Sequence, residues 1–105
     1  MDHKTKWLFH PSVLQKTLYF QSDNGYTLMV MENRRHEVLD IPLKKIEKNL
    51  SCKLFLRLHR SYLVNKDAIS EFRHYRTHYF AYVCGYRIPV SRRRKKMIME
   101  SLDFI

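Results

Sequence analysis

The run Phe55-Leu56-Arg57-Leu58-His59-Arg60-Ser61-Tyr62-Leu63-Val64-Asn65 decides how this chain is read. From Lys53 the pattern alternates, with Leu54, Leu56 and Leu58 on one face and Phe55, Arg57 and His59 on the other, as in a half-buried strand. The phase then slips. His59-Arg60-Ser61 is a polar break, after which Tyr62-Leu63-Val64 resumes the apolar pattern and Asn65 ends it. A backbone that bulges or turns at such a break presents His59 and Arg60 outward. Two strands joined at a cationic break are therefore predicted for the middle of the chain.

Toward the N-terminus the period changes. Leu43, Ile46 and Leu50 recur at helical spacing just after Pro42, a residue suited to the first helical position, so 43–50 is predicted as a two-turn amphipathic helix. Before it, the polar turn Glu32–Glu37 leads into a short strand, Val38–Ile41. Thr17–Gln21 and Tyr26–Met31 are apolar, β-branched and aromatic runs separated by Ser22-Asp23-Asn24-Gly25, and the Asn-Gly pair supplies the positive φ angles of a tight hairpin. Residues 1–16 read as a polar N-terminal extension, and 17–105 as one domain.

Toward the C-terminus, Ala68–Phe72 and Tyr79–Cys84 form another predicted pair around the polar tip Arg73–His78, and Tyr86–Val90 forms a last strand marked by Gly85 and Pro89. Ser91 is the expected N-cap of a closing helix, Ser91–Ile105, with Met97, Ile98 and Leu102 as a narrow apolar stripe. The fold class is mainly β with two short helices.

The chain has 105 residues, the size of a single domain with a modest core, and its 45% hydrophobic content with two Gly and three Pro is that of a folded globule. No apolar run approaches the roughly 20 residues that span a bilayer, and the start, MDHKTKWLFHPS, has no signal-peptide pattern, so the cytoplasm is expected. Cys52 and Cys84 lack CxxC spacing and read as buried reduced thiols.

A net charge of +10 points to a polyanionic partner. Residues 1–52 carry eight Lys/Arg against six Asp/Glu, whereas 53–105 carry twelve against four, so the polyanion site is expected in the second half. Arg92-Arg93-Arg94-Lys95-Lys96 follows Ser91 and fills the predicted first helical turn with cations, where the macrodipole makes each unfavourable by about 0.3–1 kcal/mol. Phosphate compensates such a violation, because it pairs with Arg and accepts from free N–H groups at a helix start. Arg60 can donate two parallel hydrogen bonds to guanine, while His59 and Ser61 can bond phosphate or a base edge.

Enzyme chemistry does not assemble. His74 and His78 have i, i+4 spacing but fall on the hairpin tip without an HExxH glutamate, so no metal site is assigned. His59 and Ser61 have no evident orienting acid, and Gly25 and Gly85 make no phosphate-cradling loop. No catalytic residue, cofactor or small-molecule substrate is expected. Tyr62, Tyr75, Tyr79, Phe80, Tyr82 and Tyr86 raise an alternative, an RNA or single-strand binding module that stacks bases, although aromatics in strands also serve as scaffold.

Taken together, Phe55 to Asn65, then Ile69, then Ile88-Pro89-Val90-Ser91-Arg92 before a closing helix closely resemble the LytTR family of DNA-binding domains. The resemblance covers Thr17 to Leu102, departing in the first hairpin at Gln21-Ser22-Asp23-Asn24-Gly25-Tyr26. It implies an elongated antiparallel β fold, as found at the end of bacterial response regulators of two-component systems. Its loops would enter successive major grooves of double-stranded DNA at promoter direct repeats and bend the duplex. On that carry-over Arg60, Arg92, His59, Asn24 and Tyr26 contact bases, while Arg57, Ser61, Arg93, Arg94, Lys95 and Lys96 contact phosphates. Tyr62, Val64, Asn65 and Pro89 are scaffold, with Asn65 capping a turn. A second copy can lie alongside on the DNA. Family members commonly follow a phosphoryl-accepting receiver domain, for which 105 residues leave no room.

Overall fold

A computed structural model describes residues 6–50 and 53–102. The β content is organised as two antiparallel sheets. The larger has the strand order β3-β2-β1-β5-β4 and is built from β1 (Thr17–Asp23), β2 (Tyr26–Met31), β3 (His36–Leu39), β4 (Phe55–His59) and β5 (Tyr62–Asn65). The smaller has the order β6-β7-β8, from β6 (Ile69–Tyr75), β7 (His78–Val83) and β8 (Tyr86–Val90). Three short helices complete the domain: α1 (Pro11–Gln15), α2 (Leu43–Lys48) and α3 (Arg92–Leu102). The molecule is elongated, measuring 43 × 25 × 23 Å along its principal axes.

The large sheet is covered on both faces, which explains why its strands contain adjacent buried residues. One face, with Phe20, Met29, Met31, Phe55 and Leu63, packs against Leu8, Leu14, Leu43 and Ile46. The other, with Tyr19, Val30, Leu58 and Val64, packs against Ala81, Val83, Ile88 and Val90 of the small sheet and Ile98 of α3. Alternation along a strand thus sends successive side chains into two different cores. Phe55, expected on the polar face of a half-buried strand, is instead 3% exposed, because that face also has a lid.

Residues 6–15, expected as an extension outside the domain, form a 3-10 turn at Lys6–Phe9 and α1, a third short helix beyond the two expected. Leu8 and Leu14 from this segment enter the first core. Thr17 follows, wholly buried, and its hydroxyl donates to the Val13 carbonyl at 2.8 Å, joining α1 to β1. Thr27 makes the equivalent join between β2 and the chain before α2, donating to the Ile41 carbonyl at 2.5 Å.

The turns follow local chemistry. Asn24 and Gly25 adopt φ of 47° and 89° between the paired residues Asp23 and Tyr26, the two-residue hairpin that Asn-Gly favours. Cys84 and Gly85, with φ of 46° and 86°, turn β7 into β8 in the same way. Cys84 is consequently exposed, not buried as its residue type suggested; Cys52 lies outside the described residues. Strand β3 begins at His36, two residues earlier than expected, and its Val38 is 70% exposed at the sheet edge. In α3 the apolar stripe narrows further, since Ile98 is buried while Met97 is 68% exposed. Asn65 is buried; its Oδ1 accepts from the Asp67 N–H at 2.9 Å and its Nδ2 donates to the Thr17 carbonyl at 2.9 Å, which closes the 3-10 turn Lys66–Ala68 against β1. Among the described residues no helix is long and apolar enough to cross a membrane.

Candidate nucleic-acid interface

Three elements meet at one end of the large sheet. The β4–β5 turn at Arg60 and Ser61 interrupts the register between Arg57 and His59, so the phase slip in the sequence is a bulged hairpin. The β1–β2 turn lies beside it, since Gln21 pairs with Tyr62 and the Ser22 N–H donates to the Ser61 carbonyl at 2.8 Å. The start of α3 is tied to the same hairpin by the Ser91 N–H, which donates to the Leu58 carbonyl at 2.9 Å. Asn24, Tyr26, His59, Arg60, Ser61 and Arg92 are thereby brought to one end, though their residue numbers span most of the chain. Asn24, Tyr26, Arg60, Arg92, Arg93 and Lys96 are exposed there.

The β4–β5 turn is held from within. Arg57, only 15% exposed in its side chain, donates from Nε to the His59 carbonyl at 2.8 Å and from Nη2 to the Arg60 carbonyl. Its Nη1 meets Glu47 Oε1 of α2 at 2.5 Å. One guanidinium therefore closes the turn and anchors it to α2. Expected as a phosphate ligand, Arg57 directs one donor from each of its three nitrogens to the protein. Charge-assisted bonds of this kind are among the stronger hydrogen bonds and fix geometry as well.

His59 is fixed next to it. Its Nδ1 accepts the Ser61 N–H at 3.1 Å, which requires that nitrogen to be unprotonated, so the neutral ring carries its proton on Nε2. The ring also meets the edge of Tyr62, with centroids 5.7 Å apart. Burial first, then the charges of Arg60, Arg94 and Arg57, hold its pKa below the usual histidine value. A neutral donor beside Arg60 is suited to a base edge.

Ser91 caps α3 as its sequence position suggests: its hydroxyl accepts the Arg94 N–H at 3.3 Å, and its carbonyl accepts from Arg94 and Lys95 at 3.1 Å each. The first turn of α3 contains no acidic residue. Its cations separate into two groups. Arg92, Arg93 and Lys96 point outward, whereas Arg94 and Lys95 are half-buried. Lys95 donates to the Tyr79 hydroxyl, and its ammonium lies 3.7 Å from that ring's centroid, joining α3 to β7. The sequence suggests Tyr79 only as a stacking platform or scaffold; its partnership with Lys95 has no local signal, because the two are 16 residues apart.

The remaining aromatics divide between core and surface. Tyr19 is buried and packs against the half-buried Tyr62 and Tyr86, and burial followed by the neighbours Tyr86 and Tyr62 raises the Tyr19 pKa to about 12. His74 stacks on Tyr79 at 4.5 Å, while His78 lies by Phe80, so the two histidines of the i, i+4 pair occupy opposite faces of the β6–β7 hairpin.

The model of the LytTr DNA-binding domain family matches residues 10–103. The transcriptional regulatory protein LytR of Staphylococcus aureus is 27% identical over 93 residues, covering 87% of this chain and 37% of that protein. The chain thus spans little more than a third of the length of the curated relatives it matches. Among solved structures, the LytTr DNA-binding domain of a Bacillus cereus protein described as a methyl-accepting/DNA response regulator superposes with a TM-score of 0.78 at 24% identity, covering 87% of this chain and 84% of that one.

Proposed function

From the premise that the chain belongs to the LytTR DNA-binding domain family, we propose that it recognises a specific double-stranded DNA sequence and thereby regulates transcription. The observation that carries this reading is the convergence of the β1–β2 turn, the β4–β5 turn and the cationic start of α3 at one end of a sheet buried on both faces. Short turns on a sheet covered on both faces can enter a groove wide enough for a β-ribbon, and an elongated molecule is suited to lie along successive major grooves.

In this reading Arg60 and Arg92 donate to guanine edges, His59 offers Nε2–H, and Asn24 and Tyr26 touch a neighbouring step. Ser61, Arg93 and Lys96 hold phosphates, with Arg94 and Lys95 contributing charge from half-buried positions. Arg57 fixes the turn that carries Arg60 and does not itself reach DNA. Promoter direct repeats would accept a second copy beside the first, each with the same end toward the duplex.

Selection from a random duplex library at near-physiological salt tests the proposal, followed by titration of the recovered duplex against a scrambled duplex and a single strand. The expected outcome is a repeated duplex motif bound in preference to both competitors. Salt-sensitive binding with no enriched motif would refute sequence recognition. Preference for the single strand would favour the stacking alternative.

A further inference from the structure

The β6–β7 hairpin reaches the same end of the molecule without any role in the assignments above. Tyr79 pairs with Val90, so the hairpin tip lies level with Ser91 and the first turn of α3. The contacts of Lys95 and His74 with Tyr79 hold the two elements together. Residues 73–78, Arg-His-Tyr-Arg-Thr-His, are all exposed and contain no carboxylate. Arg76, with φ of 57°, forms the corner of the tip.

The cations here are held differently from Arg57. Arg76 lies 5.6 Å from the Tyr75 ring centroid, Arg73 5.2 Å from that of Tyr82, and Arg87 4.7 Å from that of Phe80. A guanidinium resting on a ring is placed by its flat face and keeps its N–H edge available. With His74, Tyr75 and both rings, Arg73 and Arg87 line an open groove of about 540 Å³. The carboxylate on this face, Glu71, meets Arg73 at 3.1 Å, and so exposed an ion pair is weak enough to exchange for phosphate. Adjustable cations on a protruding hairpin match a uniform polyanion better than a base edge, which demands fixed donors.

We propose that the β6–β7 hairpin is a fourth DNA-contacting element, in which Arg73 and Arg76 hold the sugar–phosphate backbone outside the segment met by the other three. This rests on the DNA reading proposed above. The occupant is duplex backbone because the tip continues the cationic end formed by Arg92, Arg93 and Lys96.

The test compares the unmodified chain with an Arg73→Gln/Arg76→Gln variant on two forms of the duplex recovered by selection. One contains only the enriched motif, and the other extends it by about one helical turn, roughly 10 bp, at each end. The double variant is expected to bind the extended duplex about tenfold less tightly, with a salt slope lower by about two, and to select the same motif. Thr77→Asp, which adds negative charge while leaving the ring contacts in place, should weaken binding in the same direction. Unchanged affinity and salt slope for the variants, while Arg60→Ala loses sequence preference, would overturn the hairpin's role and leave the DNA reading intact. A changed motif would also overturn it, since the hairpin would then be reading bases. Failure of the unmodified chain to prefer any duplex would remove the reading and this inference together.

Discussion

The β4–β5 and β6–β7 hairpins both present arginines at the same end of the molecule, yet they are built on opposite principles. In the first, Arg57 binds two turn carbonyls and a carboxylate from α2, and His59 accepts a backbone N–H, so the loop carrying Arg60 has a fixed shape. In the second, guanidiniums rest on aromatic rings, and the carboxylate contact recorded for them is an exposed ion pair. On the proposed reading, the difference follows from the different demands of reading a base and holding a backbone. Bidentate pairing to guanine requires a donor fork already in place, whereas phosphates repeat along the duplex and tolerate a mobile cation.

The sharpest way to break the comparison is Arg57→Ala. Loss of charge-assisted bonds to two carbonyls and to Glu47 should lower stability by about 2–3 kcal/mol, read by urea unfolding, and should blur the selected motif. Retention of both stability and motif would show that the turn needs no internal brace. Next in size, Arg60→Ala and Arg92→Ala should each cost about 1–3 kcal/mol on the selected duplex and much less on a scrambled one. Equal losses on both duplexes would make these residues backbone ligands and erase the contrast.

A smaller effect separates the two kinds of α3 cation. Tyr79→Phe removes the hydroxyl that accepts from Lys95 and should cost about 1 kcal/mol, seen as a lower Tm. Arg93→Ala should leave Tm unchanged and reduce the salt slope of duplex binding by about one. The smallest expected effect is a tilt of stability with pH. Because the folded pKa of His59 is depressed, the unfolded chain takes up this proton first as pH falls below about 6.5. The contribution is present above that pH and lost as pH falls through the folded value. His59→Gln should flatten this part of a Tm profile taken across mildly acidic pH; an unchanged slope would assign the tilt to other groups.

Much of the fold was legible because local chemistry and tertiary need agree. Asn24-Gly25 predicts its hairpin from backbone preference alone, and Ser91 caps the helix that its position announces. The two-sided covering of the large sheet was not legible. Alternation shows that residues on a strand face opposite ways, but it does not say that both ways are inside, so Phe55 was placed with the polar residues. Leu8 and Leu14 give no sequence signal of burial, because Pro11 divides a segment too short to display a period. The cationic end is visible as charge, whereas the partners of its individual cations are not: Arg57 gains its bonds only when the turn folds its carbonyls back and α2 brings Glu47 alongside. Cys84 illustrates the reverse case, an apolar residue type placed in a turn by the hairpin's length.

The shared sheet has a consequence for how the domain yields. Both cores rest on β1 and β5, so neither can melt without exposing the other's wall, and unfolding should proceed as one cooperative event. Amides in those central strands should exchange with solvent only through global opening, while those at the exposed β6–β7 tip exchange through local fraying. A body that stiff has little freedom to adapt to a duplex. On the proposed duplex reading, a mismatch in curvature would fall to the DNA, and flexible pyrimidine–purine steps would be favoured even where no side chain touches them.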